Sequence, residues 1–169
     1  MSKKTIYIFL ISILCINSAA QTGGDNVYEF LNLTHSGLVS SLGGTNVSLF
    51  NDNLNLAYHN PSLLTPEMNK SLALNYVNYF AGVNYGLVLY SFSIPDAGNF
   101  AAGINYLNYG SFIEADPSGV ITGDFHASEY AFSLMWSRKI YNNFSAGINL
   151  KPVLSHLEKY TSFGLVTDI

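Results

Sequence analysis

His126-Ala127-Ser128-Glu129-Tyr130-Ala131-Phe132-Ser133-Leu134-Met135-Trp136 alternates with a period of two. Tyr130, Phe132, Leu134 and Trp136 fall on one face of an extended chain. Glu129, Ala131, Ser133, Met135 and Ser137 fall on the other. Large apolar groups on one side with small or polar groups opposite is the pattern of a strand in a membrane wall. The same period recurs along the chain. Phe144, Ala146, Ile148 and Leu150 oppose Ser145, Gly147, Asn149 and Lys151; Phe100, Ala102, Ile104 and Tyr106 oppose Gly103 and Asn105; Leu72, Leu74 and Tyr76 oppose Ala73, Asn75 and Val77. Tyr85–Phe92 carries apolar residues on both faces and reads equally as a core strand. A soluble sandwich with one wet face has this period too. Only 11% of the residues are charged, against 12 Tyr and 11 Phe, and that balance favours a wall facing lipid.

Six strands are expected, over Lys70–Gly82, Tyr85–Ser93, Asn99–Tyr109, Ala127–Ser137, Asn143–Lys151 and Lys159–Ile169, each near the length a tilted membrane strand needs. Trp136, Tyr106 and Phe80 lie towards strand ends, where aromatic girdles form. With Lys70 at the periplasmic side, the turns alternate. Ala81–Asn84, Gly110–His126 and Pro152–Glu158 fall outside; Ser93–Asn99 and Arg138–Asn142 fall inside. The longest link, Gly110–His126, lands on the extracellular side, where long loops belong. It is the expected place for partner-binding residues.

Lys3 and Lys4, the apolar run Ile6–Ile16 and the small residues Ser18 and Ala20 form a secretory signal, residues 1–20, with cleavage expected after Ala20. Cys15, the one cysteine, lies inside it behind Leu14, where a lipidation site wants a small residue. Disulfides, thiolate metal ligands and a thiol nucleophile are therefore excluded after cleavage. Removing two lysines from 7 Lys plus Arg leaves 5 against 11 Asp plus Glu, a net of −6 over 149 residues. No basic patch remains to neutralise phosphates, so nucleic acid is not an expected partner.

Residues 21–69 differ in kind and read as a plug, ahead of the wall at residues 70–169. Ser36–Leu42 suits a short helix stopping at Gly43, and Asp52 could cap a second one carrying Leu54, Leu56 and Ala57, with Pro61 opening a further turn. The segment is too small to fold alone and makes sense packed in the mouth of a wide barrel. Gly43 and Gly44 are expected to reverse the chain where side chains would clash. Asn60 and Pro61 are expected to set the passage from plug to wall, with Leu63 and Leu64 buried against it.

Phe30-Leu31-Asn32-Leu33, Ser36–Gly44, Asn51-Asp52-Asn53 and His59-Asn60-Pro61-Ser62-Leu63-Leu64, ordered between a signal and repeating strands, resemble the start of the PorV/PorQ group, relatives of the FadL-type outer-membrane barrels. Tyr28-Glu29-Phe30-Leu31-Asn32-Leu33 fits the PorQ side of that group. The resemblance implies an all-β fold: an outer-membrane antiparallel β-barrel of roughly fourteen strands, with short helices inside its periplasmic mouth. It also implies the outer membrane of a Bacteroidota-like cell and the type IX secretion system, in which such proteins hold a PorZ-like surface protein in the complex that processes and attaches cargo. Six candidate strands fall short of the eight at which closed single-chain barrels begin, so the chain is expected to be the N-terminal part of a longer barrel, with closure by several copies or a genuine short form as the alternatives. A FadL-like channel for hydrophobic small molecules is the alternative function.

No catalytic or cofactor-binding residue is expected. His35, His59, His126 and His156 form no spaced metal cluster, no G-x-S-x-G elbow occurs, and Gly43-Gly44 lacks the lysine of a phosphate loop. Glu114, Asp116 and Asp124 could hold calcium weakly, although a solvated acidic loop is the plainer reading.

Overall fold

The period of two is realised as six strands: β1 (Leu72–Asn78), β2 (Asn84–Ile94), β3 (Gly98–Ala115), β4 (Ile121–Tyr141), β5 (Phe144–Leu157) and β6 (Tyr160–Asp168). They form one antiparallel sheet in sequence order, each strand beside its predecessor. The fold is all-β, with short helical turns ahead of the sheet. This computed structural model describes residues 27–44, 49–141 and 144–169. The expected signal peptide and the first residues after it lie outside that range. Among the described residues β1 and β6 do not pair with one another, so the sheet is open.

The two faces match the alternation. Four apolar rows cross one face, hereafter the bare face, which no other described element covers. Phe92, Phe100, Trp136 and Ile148 share the first row, and Leu72, Tyr90, Ala102, Leu134 and Leu150 the second. Leu74, Val88, Ile104 and Phe132 form the third; Tyr76, Gly86, Tyr106, Tyr130, Leu154 and Phe163 form the fourth. A fifth row is polar across the whole sheet, running Asn78, Asn84, Asn108, Ser128, His156 and Thr161. The first and fourth rows hold most of the rings, with Phe92 stacked on Phe100 at 5.4 Å and Tyr106 beside Tyr130 at 5.0 Å.

The other face is covered by the N-terminal segment, which consists of α1 (Gly37–Ser41) and 3-10 turns at Glu29–Asn32, Leu54–Tyr58, Pro61–Leu63 and Pro66–Met68. Phe30 and Leu31 pack with Tyr85, Leu107, Ala131 and Val153. Leu54, Ala57, Tyr58, Leu64 and Met68 pack with Leu87, Leu89, Ala101 and Met135. This explains the doubly apolar β2: Leu87 and Leu89 meet the segment, whereas Val88, Tyr90 and Phe92 lie on the bare face. The segment runs from the β1–β2 turn to the β2–β3 turn, the full height of the sheet.

Three boundaries also differ. The polar link Gly110–His126 is mostly strand, because β3 and β4 continue their ladder to Ala115 and Ile121. Gly and Asp are poor strand formers, but an antiparallel ladder closed by a tight turn tolerates them. Asp116 builds that turn, its Oδ1 accepting from the amides of Ser118 (2.8 Å) and Val120 (3.0 Å). The expected turn at Pro152–Glu158 is instead the end of β5. Pro152 lacks an N–H, and the ladder to β4 passes from Val153 to Leu150, while Pro152 still pairs with Leu165 on β6. Finally, β4 runs on to Tyr141, through most of the expected turn Arg138–Asn142.

Candidate functional site

The densest side-chain chemistry lies along the seam between the N-terminal segment and the covered face. Its physical origin is the irregular backbone of the segment. Short 3-10 turns leave carbonyls without intrasegment partners, and buried orphans are costly. The sheet supplies donors. Asn99 Nδ2 donates to Leu64 O at 3.0 Å, and the Ser137 hydroxyl donates to the same oxygen. The Ser91 hydroxyl donates to Met68 O, Asn149 Nδ2 to Tyr58 O at 3.3 Å, and Asn75 Nδ2 to Asn55 Oδ1 at 2.6 Å. The small and polar residues on alternate strand positions are the wall's half of this seam.

At its centre Asn105 is fully buried and bridges two segment residues. Its Nδ2 donates to the Tyr58 hydroxyl at 2.8 Å, and its Oδ1 lies 2.8 Å from His35 Nε2. An amide oxygen only accepts, so Nε2 carries the His35 proton. The His35 ring meets those of Tyr58 and Tyr85 edge-on. Lys151, also buried, holds its Nζ 4.3 Å from the Tyr58 ring centroid and 2.5 Å from Asp168 Oδ2. Burial lowers the His35 pKa to about 4, with Lys151 and His59 adding to the fall and the Asn105 bond opposing it. Burial lowers His59 to about 4 as well, and it raises the Tyr58 hydroxyl. Both imidazoles are therefore neutral near pH 7. The Ser133 hydroxyl and the Asn149 side-chain oxygen are buried and unpartnered among the described residues.

The residues singled out in the sequence occupy different parts of this arrangement. Asn60 caps its turn, its Oδ1 accepting from Ser62 N (3.2 Å) and Ser62 Oγ (2.6 Å), and Pro61 opens the helical turn behind it. Leu64 packs against the sheet, but Leu63 clusters with Val39 and Leu56 inside the segment itself. Gly43 and Gly44 end α1 at φ +91° and +103°. A side chain at Gly43 would meet nothing within 4 Å, and at Gly44 only Thr34 Cγ2 at 3.6 Å. The need for glycine there is conformational; the expected clash is absent.

The crowded glycines are others. A Cβ on Gly147 would stand 2.5 Å from both Pro61 C and Ser62 N, and one on Gly164 would stand 2.5 Å from the Tyr28 ring. Gly147 is where the turn of Asn60 and Pro61 touches the sheet. Only its alternate-strand position among small residues hinted at this in the sequence.

Above the covered face, a cavity of about 630 Å³ opens between the first turn of the segment and the β1–β2 rim. Phe30, Leu33, Tyr79, Phe80, Val83, Tyr85, Leu107 and Tyr109 give it an apolar lining, with Glu29 and Asn32 among its polar residues. Among the described residues no group of three His, Cys, Asp or Glu could hold a metal. Asp116 is engaged in its turn, and Asp124 lies beside His126 Nε2 at 3.6 Å and Ser111 Oγ at 3.4 Å. The three carboxylates considered for calcium do not converge. No protein-family model, curated protein or solved structure matches the chain.

Proposed function

We propose that this chain is a sector of an outer-membrane β-barrel wall with its plug attached. In this reading it works without catalysis, as a scaffold of the type IX secretion system that anchors a PorZ-like surface protein. The observation that supports membrane residence is the bare face. Leu74 is 68% exposed, Leu134 57% and Phe163 72%, in a mostly apolar field whose first and fourth rows hold most of the rings and whose far side meets a polar row. Four rows at about 6.8 Å each make a band of about 27 Å along the strands, which at the tilt of about 35–45° usual in such barrels is about 20 Å across the bilayer, somewhat less than the belt of about 25 Å that they present to lipid. Soluble monomers rarely expose a contiguous apolar field of this extent. The seam supports a static scaffold over a gate, because releasing the segment would orphan buried donors and acceptors along the whole height of the wall.

The secretion assignment rests on the sequence resemblance. Its test is deletion of the gene in the native host. Cargo is expected to leave the cell unattached, and the PorZ-like protein to be lost from the surface. Cargo that stays attached would remove the assignment while leaving the membrane reading intact.

The cavity favours a second reading, a FadL-like site for a hydrophobic small molecule. Its volume and lining suit a single apolar ligand. Asn75, Asn105 and Asn149 of the covered face serve the seam and do not line the cavity. Saturable binding of a fatty acid to purified protein, lost in Leu33→Asp, would favour the channel.

A further inference from the structure

Beyond the polar row, β3 and β4 leave the rest of the sheet. β2 last pairs at Asn84 with Asn108, and β5 last pairs at Leu157 with Ala127. The ladder then continues as a two-stranded ribbon to Ala115 and Ile121, seven residues and about 24 Å past Asn108. Both outer edges of this ribbon present backbone N–H and C=O groups with no neighbouring strand among the described residues. A bare two-stranded ribbon is marginal by itself in water.

Its side chains are unusual for a solvent hairpin. Ile113 pairs with Asp124, and Ala115 with Ile121, on the side continuous with the bare face. Ile113 is 71% and Ile121 67% exposed. On the opposite side Phe112 stacks on Phe125 at 5.1 Å, next to Glu114. The ribbon carries Glu114, Asp116 and Asp124 and no lysine or arginine, and its single histidine, His126, already lies against Asp124. Exposed isoleucines, two free strand edges and a net negative charge thus coincide above the membrane band.

We infer that the β3–β4 ribbon is a docking arm that accepts an extended, lysine- or arginine-bearing segment of a partner protein as an added strand. A strand added to the free β3 edge pairs its main chain there, lays its apolar residues beside Ile113 on one face and its cations beside Glu114 on the other, while Ile121 and Asp124, one strand further on, extend the apolar surface and the negative potential. The charge argues against the other occupants. A second copy would bring its own three carboxylates to the same place, and an anionic lipopolysaccharide surface would be repelled. The inference rests on the reading of this face as the outer rim of a membrane wall and deepens it.

The test uses the full chain in detergent micelles with two labelled peptides, one alternating valine and lysine, the other valine and glutamate. Binding is read by fluorescence polarisation at two salt concentrations. The lysine peptide is expected to bind, more weakly at high salt. Ile113→Ser with Ile121→Ser, and separately Glu114→Gln with Asp124→Asn, are each expected to weaken it by about tenfold or more. No binding, equal binding of both peptides, or binding unchanged in both variants would overturn the inference, as would a ribbon that crosslinks only to another copy or binds only vesicles containing lipid A. Fractionation of the same variants keeps the two readings apart. A variant that stays in the outer membrane without binding retains the wall and removes the arm, whereas wild type outside the membrane removes the wall.

Discussion

Two glycine sites separate backbone need from lack of space. At Gly43 the conformation is left-handed and the surroundings are empty; at Gly147 the surroundings are backbone atoms 2.5 Å from any Cβ. Gly43→Ala and Gly43→Leu should therefore cost about the same, about 1–2 kcal/mol from the left-handed backbone alone. Gly147→Ala should cost about 1–3 kcal/mol through overpacking, and Gly147→Leu considerably more. Urea midpoints, with chymotrypsin cleavage of the N-terminal segment as a local readout, distinguish the two. An unshifted Gly147→Ala would mean that Pro61 and Ser62 do not rest on β5.

The histidines of the seam give a second prediction at this scale. His35 and His59 fall from an ordinary 6.5 to about 4 on folding, so the unfolded chain binds more protons between those values. Stability from this source is complete above about pH 6.5 and is lost as the pH falls towards 4. The loss is of the order of 1–2 kcal/mol per ring at pH 5. The N-terminal segment should become protease-sensitive across that window in wild type. In the His35→Gln, His59→Gln double variant, the response to pH should flatten.

Among the elements, the N-terminal segment and the sheet are held by a few shared residues, of which Asn105 is the hub. Asn105→Leu would leave the His35 N–H and the Tyr58 hydroxyl buried without their partner, at about 1–3 kcal/mol for each orphaned group. Adding Tyr58→Phe removes one of those orphans, so the double variant should be more stable than the sum of the single changes. Urea unfolding of the four proteins of that cycle measures the coupling, and strict additivity would show that the bridge contributes nothing. The strands were legible because β3, β4 and β5 each combine a large apolar face with a small or polar one. The short helix before Gly43 and the turn at Asn60-Pro61 were legible from their stop and start residues. The second helical turn is capped by Asn53, which accepts from Asn55 N, and the expected cap Asp52 is not used. In the sequence the ribbon reads as a loop because composition registers its glycines and aspartates, while the ladder depends on a partner strand that no local window contains. The seam is half visible in the sequence: polar residues alternate along the covered face, but which carbonyl each one meets depends on how the segment lies across the sheet. Gly147 could not be assigned without Pro61 above it.

For the whole molecule the decisive property is the gradient across the bare face. A lipid-facing wall and a sheet awaiting another protein both expose apolar rows, but only lipid makes the cost of a charge depend on height. β4 offers a ladder for this measurement: Trp136, Leu134, Phe132 and Tyr130 stand in successive apolar rows, and Ser128 stands in the polar one. Arginine at Leu134 or Phe132 should destabilise the protein in phosphatidylcholine bilayers by about 2–4 kcal/mol, falling to about 0–1 kcal/mol at Ser128. Trp136→Arg adds a separate loss, because the indole Nε1 donates to Ala97 O at 3.0 Å and ties β4 to the β2–β3 turn. The clean comparison is therefore Leu134 and Phe132 against Ser128, read by urea unfolding after reconstitution. The open edges of β1 and β6 do not disturb it, because β4 has a neighbour on either side along its apolar rows. Costs that peak in the middle rows require a hydrocarbon layer of that height against the sheet. A flat profile, or arginines that stabilise the chain in water alone, would mean that the bare face meets something other than lipid.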